Sequence, residues 1–180
     1  PLTLAAFAME GHLDSMMLAW MALAGWASMR RRWIECGLCI GLAVLSKLLA
    51  AALLIWLLIR SPRGALAALA VLLLGYLPYS AAGPGLISSV VHLGMHSSFN
   101  SVVPALLAPV LGQWAAAAFC LVTVLSYAFY LATCKRLEMH EFGARVFGLM
   151  LILLPVVHFW YVGWVLIFVA HRLRWRWIVL

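Results

Sequence analysis

Several ionisable side chains stand within or beside long apolar stretches of this sequence. Lys47 interrupts the apolar run 33–59, and Glu10, His12 and Asp14 lie at the beginning of the first span. Lysine supplies a positive charge, while carboxylates and imidazoles can act as general bases. Because ionisable groups within apolar segments are costly to bury, they predict a functional site.

Each of these residues also has a structural interpretation. Asp14 is a suitable N-cap for a helix that starts at the first apolar run. Lys47 can extend its ammonium group to a membrane interface while its stem stays in apolar surroundings. However, Lys47 lies about a dozen residues from the nearest basic cluster on either side, which makes this difficult and favours a functional role.

Histidines and cysteines with regular spacing are the next candidates. His92 and His96 are four residues apart and would share one helix face, as metal ligands often do. No acidic or cysteine third ligand lies nearby, so surface histidines are favoured and we predict no metal site. Cys36 and Cys39 form a C-x-x-C pair without a second pair, which favours small structural residues in a helix.

The composition excludes whole classes of protein. Apolar residues make up 67% of the 180 residues, charged residues only 9%, and the mean hydropathy is +1.10. Soluble domains are about half apolar and about a quarter charged, so a soluble domain, a disordered chain and a disulfide scaffold are excluded. The net charge of +7 arises from short basic clusters between apolar runs, which are typical of cytoplasmic anchors and do not indicate a nucleic-acid surface.

The apolar runs predict an all-α integral membrane protein, a single polytopic helical bundle over residues 1–180. Drawn as two short re-entrant-like hairpins, the runs 33–60 and 146–171 place every basic cluster on one side of the membrane. As single tilted spans they would divide the clusters between the two sides. The predicted spans are 13–29, 33–46, 48–60, 65–79, 114–133, 146–157 and 161–171, with an external loop at 80–113.

The hairpin arms are short for a membrane of about 30 Å. Backbone at membrane depth must not face lipid, so we expect the hairpin tips to line a hydrated cavity that opens on the non-cytoplasmic side. Within the loop, the segment 86–111 mixes apolar residues with Ser, His and Asn and contains two prolines. It is too polar to span and fits interfacial helices. Since the chain begins with Pro1 and stops within an apolar run, we also expect a fragment of a longer protein.

Four stretches, in order along most of the chain, carry a resemblance to a known family. They are Pro1-Leu2 with Glu10-Gly11-His12-Leu13-Asp14, then Gly37-Leu38-Cys39-Ile40-Gly41-Leu42-Ala43-Val44-Leu45-Ser46-Lys47, then Phe99-Asn100-Ser101, then Pro155-Val156-Val157-His158-Phe159-Trp160-Tyr161. Together they resemble the GT-C superfamily of polytopic membrane glycosyltransferases, in the branch of polyprenyl-phosphate-mannose-dependent mannosyltransferases. Phe159 stands where that branch usually has proline.

The resemblance implies a reaction and roles for particular residues. Such enzymes transfer a sugar, here mannose, from a polyprenyl-phosphate carrier to a glycan or glycolipid acceptor outside the cytoplasm. It implies that Lys47 binds the carrier phosphate, and that Asn100, His158, Trp160 and Tyr161 contact the sugar or acceptor. The catalytic base of this superfamily usually lies further upstream, so we expect this chain to lack it. Asp14, Glu10 and His12 are the catalytic candidates within the chain, and the resemblance implies that they line the sugar or acceptor pocket.

The same resemblance implies a location and a set of partners. We expect a multi-pass protein of the bacterial inner membrane with its site facing outward, in contact with the lipid bilayer. No cofactor is required by the pattern, although a divalent cation bound with the carrier phosphate is compatible with it. No nucleic-acid partner is expected.

Two other functions fit parts of the pattern. A transporter or channel also places charges within the membrane on broken helices, and the two hairpins form a faint repeat, although the second has no counterpart of Lys47. A haem- or quinone-binding subunit would use the histidines, but bis-histidine haem needs histidines facing each other across neighbouring spans. The histidines of this chain fall at span ends or in loops. The aromatic pair Trp160 and Tyr161 also fits an ordinary interfacial belt.

Overall fold

The computed structural model describes residues 13–85, 88, 91–92 and 99–170, and these are helical almost throughout. The α-helices are α1 (Asp14–Met29), α2 (Trp33–Ser46), α3 (Ala52–Arg60), α4 (Pro62–Tyr76), α5 (Val103–Leu111), α6 (Gln113–Tyr130), α7 (Met139–Leu153) and α8 (Val162–Val169). Leu48–Ala51, Leu77–Ala82 and Phe159–Tyr161 are 3₁₀ turns, and Leu131–Lys135 is a π-helical turn. These ranges contain no strand, so the predicted all-α class is confirmed for them.

The apolar run that contains Lys47 is broken at that residue. α2 ends at Ser46, Lys47 adopts an extended conformation (φ −157°, ψ 120°), and a 3₁₀ turn leads into α3. The two helices are antiparallel, because the ring of Trp33, the first residue of α2, lies 6.2 Å from the ring of Trp56 in the middle of α3. At 14 residues, α2 is about 21 Å long, shorter than the hydrocarbon core of a bilayer.

Glycines allow α2 and α4 to pack in close contact. A Cβ on Gly37 would lie 2.7 Å from the carbonyl carbon of Gly64, and one on Gly41 would lie 3.0 Å from the carbonyl oxygen of Ala68. The two glycines are four residues apart, the spacing that brings helix backbones together in membrane proteins. Since Gly64 is also next to the Trp33 carbonyl, α4 runs parallel to α2. This packing sets the position of the residue that follows α2, Lys47.

The second half of the chain forms another antiparallel pair, α7 and α8. Phe147 of α7 packs against Trp164 and Phe168 of α8, at centroid distances of 6.3 and 5.5 Å. α7 begins at Met139 and ends at Leu153, whereas the predicted span was 146–157, so both predicted ends lie too late in the chain. The helix ends at Leu153 because Pro155 disfavours the helical conformation of the preceding residue, and Leu154 is extended (ψ 143°).

The bundle has two chemically different ends. We call the end that carries Lys47 and the start of α1 the Lys47 end, and the opposite end the basic end. Helices α1, α3, α6 and α8 run towards the basic end, while α2, α4 and α7 run away from it. The described Lys and Arg residues at or near the basic end are Arg30, Arg31, Arg32, Arg60, Arg63, Lys135, Arg136 and Arg145.

Long apolar helices with exposed side chains lie on the outside of the bundle. The helical segments Pro62–Ala82 and Gln113–Lys135 are long and apolar enough, by length and composition, to cross a membrane. Only 6% of the most apolar window of the first is buried, and Leu66, Leu73 and Leu74 are more than 60% exposed. The predicted external loop 80–113 contains α5, whose Val110 is also largely exposed.

Two contacts join the turns at the basic end. Arg60 forms an ion pair with Glu138, and Trp56 Nε1 donates a hydrogen bond to the Leu137 carbonyl oxygen at 2.8 Å. Glu138 is more than half exposed, so solvent screens the ion pair. We expect Arg60→Gln to change the free energy of unfolding by less than about 1 kcal/mol. Chemical denaturation in detergent measures this, and a larger loss would contradict the solvent screening inferred from the exposure of Glu138.

Candidate functional site

Three chain segments meet at the Lys47 end. They are the tip between α2 and α3, the first turn of α1, and the 3₁₀ turn Phe159–Tyr161 with the first turn of α8. The structure thereby brings together Asp14, Lys47 and Tyr161, which the sequence analysis singled out, and adds Trp164, which it did not. These four side chains form the candidate site.

A buried carboxylate connects all three segments. Lys47 Nζ lies 2.7 Å from Asp14 Oδ1, and Trp164 Nε1 donates to the same oxygen at 2.8 Å. Asp14 is 2% exposed, whereas the Lys47 side chain is 24% exposed. Asp14 is the first residue of α1, where the helix dipole favours a negative charge, but it does not cap the helix. The carboxylate thus balances a charge that would otherwise be buried without a partner.

Aromatic rings surround the ammonium group of Lys47. Its nitrogen lies 4.4 Å from the centroid of the Tyr161 ring and 4.8 Å from that of Trp164. The two rings are themselves stacked, with centroids 3.8 Å apart. Ring faces attract cations at these distances, most strongly where water is excluded. Lys47 is therefore held by a carboxylate and two ring faces, with part of its side chain still open to solvent.

The turn before α8 carries a second aromatic group. His158 stacks on Trp160 with centroids 4.3 Å apart and nearly parallel planes, and it meets the edge of Tyr161 at 5.3 Å. Phe99 also contacts His158, at 5.0 Å. Phe159, which replaces the expected proline, is 57% exposed beside Trp160. His158 and Trp160 thus lie beside the Lys47 site, connected to it through Tyr161.

Backbone hydrogen bonds join the external loop to this turn. Phe99 N donates to the Pro155 carbonyl oxygen at 3.0 Å, and Val157 N donates to the Phe99 carbonyl oxygen at 2.8 Å. The next residue, Asn100, is exposed and has a positive φ of 51°, a conformation that asparagine tolerates better than most residues. The structure therefore places Asn100 next to the aromatic turn.

Other predicted residues are not part of this cluster. Glu10, His12 and His96 lie outside the described residues, and His92 is exposed in the external loop. Among the described residues no group of three His, Cys, Asp or Glu side chains could hold a metal ion. Cys36 and Cys39 are unbonded thiols within α2.

A separate cleft lies towards the basic end. It has a volume of about 240 Å³ and is lined by Met21, Gly25, His140 and Phe168, among others. Gly25 is three helical turns from Asp14, so this cleft is distinct from the Lys47 site. The side chains that line it are mostly apolar.

Trp164 could not be singled out from the sequence. It lies three residues after Tyr161 and four after Trp160, so the spacing does place it on one helix face with them. However, a face of aromatic residues in an apolar segment equally fits an interfacial belt or a packed core. Its role depends on Asp14, which lies 150 positions away in the chain.

Comparison of the chain with models of protein families, with curated proteins and with solved structures finds no match. The site itself is therefore the basis for assigning a function.

Proposed function

We propose that this chain forms the carrier-binding part of a membrane glycosyltransferase. In this proposal a sugar, mannose, is transferred from a polyprenyl-phosphate carrier to a glycan or glycolipid acceptor on the non-cytoplasmic face of the bacterial inner membrane. The proposal rests on the chemistry of the Lys47 end together with the resemblance of four sequence stretches to the GT-C superfamily.

The apolar exterior supports the membrane part of the proposal. Soluble monomers rarely expose continuous apolar patches of more than a few hundred Å². Here the exposed faces of α4 and α6 carry leucine, valine and phenylalanine side chains along their length. Lipid contact accounts for such faces, and the basic end then becomes the cytoplasmic side. In that orientation the Lys47 end faces outward.

The observation that carries the enzymatic proposal is the position of Lys47. Among the described residues it is the only Lys or Arg at its end of the bundle, and it sits at the tip of a hairpin too short to cross the membrane. A lipid carrier presents its phosphate near the membrane surface while its isoprenoid chain remains in lipid. A fixed ammonium group at this depth is suited to bind that phosphate.

The chemistry follows from charge development. When the bond between the sugar and the carrier phosphate breaks, negative charge accumulates on the phosphate that leaves. A preorganised cation in surroundings with little water stabilises that charge. Lys47 has this role in the proposal, and Asn100, His158, Trp160 and Tyr161 contact the sugar or the acceptor. Flat aromatic faces and a nearby amide are suitable partners for a pyranose ring, which has both apolar and hydroxyl surfaces.

A reconstituted assay tests the proposal. The full-length protein that contains this chain is placed in liposomes with polyprenyl-phosphate-[³H]mannose and a membrane extract that supplies acceptors. We expect label to appear in the acceptor fraction, and we expect none when a nucleotide-linked mannose replaces the lipid donor as a control. Failure to transfer label from the lipid donor in protein that is folded by circular dichroism would contradict the proposed activity.

A transporter or channel is the competing outcome, and the accessibility of position 47 distinguishes it. In the proposed enzyme the site opens on one side only. A Lys47→Cys variant in sealed vesicles of both orientations should therefore react with a membrane-impermeant thiol reagent from the outward face alone. The four native cysteines are first replaced by serine or alanine. Labelling from both faces would favour a transport pathway.

A further inference from the structure

The arrangement around Asp14 suggests a role for this residue and for Trp164. Both Lys47 Nζ and Trp164 Nε1 bond to the same carboxylate oxygen, Oδ1. The indole ring of Trp164 also lies beneath the ammonium group that the carboxylate binds. One tryptophan side chain therefore contacts both members of the ion pair.

Asp14 is poorly placed to act on a substrate. A general base must come within about 2.6–3.2 Å of the hydroxyl group from which it removes a proton. The side chain of Asp14 is 3% exposed, and its Oδ1 already accepts from Lys47 and Trp164. Because the side chain is almost fully buried, an acceptor hydroxyl could reach either carboxylate oxygen only if neighbouring side chains moved away.

Trp164 is held firmly in place. It is fully buried, Tyr161 stacks on one face of its ring, and Phe147 meets it edge-on at 6.3 Å. A rigid donor to Asp14 fixes the carboxylate, and the carboxylate then fixes the ammonium group. Such buried supporting contacts determine how well a binding group is preorganised.

We propose that Asp14 and Trp164 are positioning residues that hold the Lys47 ammonium group ready for an anionic ligand, and that Asp14 is not the catalytic base. This inference rests on the proposed function, since the ligand of Lys47 is taken to be the carrier phosphate. The contacts to Asp14 and to the rings leave part of the ammonium group for the phosphate. Asp14 and Trp164 therefore act on the reaction only through Lys47.

The first test uses transfer kinetics with the lipid donor. Trp164→Phe keeps an aromatic ring but removes the N–H that binds Asp14, and we expect the KM for the donor to rise about tenfold because a hydrogen bond to a charged group is lost. At saturating donor, kcat should fall by less than about tenfold, because Lys47 is displaced but still present to stabilise the phosphate that leaves. Loss of a general base instead lowers kcat by about 10²–10⁴-fold, so such a loss in Asp14→Asn at saturating donor would overturn the assignment of Asp14.

Trp56→Phe is the matched control. Trp56 is also buried, and its Nε1 donates to the Leu137 carbonyl oxygen at 2.8 Å, but at the basic end. The Trp56→Phe variant therefore loses an equivalent indole hydrogen bond, and the Lys47 site is unchanged. We expect its donor KM to equal that of the wild type. An equal rise in both variants would show a general effect of stability and would overturn the positioning role of Trp164.

A second test does not depend on the reaction. Reductive methylation followed by mass spectrometry measures how fast the Lys47 amine is modified. We expect slow modification in the wild type and in Trp56→Phe, and modification at least about threefold faster in Trp164→Phe, because part of a charge-assisted bond network is lost. Equal rates in all three proteins would overturn the positioning role. If the wild type transfers no sugar but Lys47 is modified faster in Trp164→Phe, the proposed function is contradicted while the positioning role is supported.

Discussion

Replacing Lys47 by methionine is expected to destabilise the protein by about 3–5 kcal/mol, since the variant retains a buried carboxylate without its cation. The double variant Lys47→Met, Asp14→Asn removes both charges from a site of almost unchanged shape. Replacing a buried ion pair by neutral groups is often neutral for stability, so we expect the double variant to recover most of the loss. Thermal and chemical unfolding in detergent measure both changes.

Sugar transfer should not recover in the double variant. If Lys47 stabilises the phosphate that leaves, its removal costs about 10²–10³ in kcat/KM, as for other preorganised groups that bind developing charge. The double variant therefore separates folding from function, because it is folded but inactive. A stable double variant with wild-type transfer would show that Lys47 belongs to a structural ion pair only.

Replacing Gly37 by alanine is expected to disturb the packing of α2 against α4. The new Cβ would meet the carbonyl group of Gly64, which is backbone and cannot rotate away. Insertion of a methyl group into packing this close costs about 1–3 kcal/mol or more, so we expect a loss of about 3 kcal/mol. The displacement of α2 would also move Lys47, which directly follows that helix. The unfolding transition followed by circular dichroism measures the loss of stability.

Gly25→Ala is the control for this prediction. Gly25 is also within a helix, but a Cβ placed there has no atom within 4 Å. Alanine is a better helix former than glycine by about 1 kcal/mol, so this variant should be as stable as the wild type or slightly more stable. Equal stability of Gly37→Ala and wild type would show that α2 and α4 separate more easily than their glycine contacts indicate.

Part of the fold could be predicted from the sequence because the signals are local. The break at Lys47 follows from a charged residue inside an apolar run. The span predicted at 146–157 extended too far, because Pro155 restricts the residue before it and α7 ends at Leu153. The start of α7 was harder to predict. Residues 139–145 include His140, Glu141 and Arg145 and are therefore not part of the apolar run that predicted the span. The helix nevertheless begins at Met139.

The site could be predicted only in outline. Charged residues in apolar segments identified Asp14 and Lys47 as candidates, but nothing local indicated that they bind each other. The sequence also allowed Asp14 to cap α1. In the structure Asp14 is the first residue of α1, and its side chain makes no capping hydrogen bond. Asn100, His158 and Trp160 were assigned through the resemblance, and their roles in binding stay predictions.

By itself, the sequence determined the helical class, the break of one apolar run at Lys47, and the exceptional character of that lysine. These properties depend on residue type and on neighbours within a few positions. Only the tertiary structure decided what surrounds that lysine, since its partners Asp14 and Tyr161 come from distant segments and Trp164 binds across 150 positions. The physical reason is that helix formation is local, whereas the balance of a buried charge depends on which helices pack together.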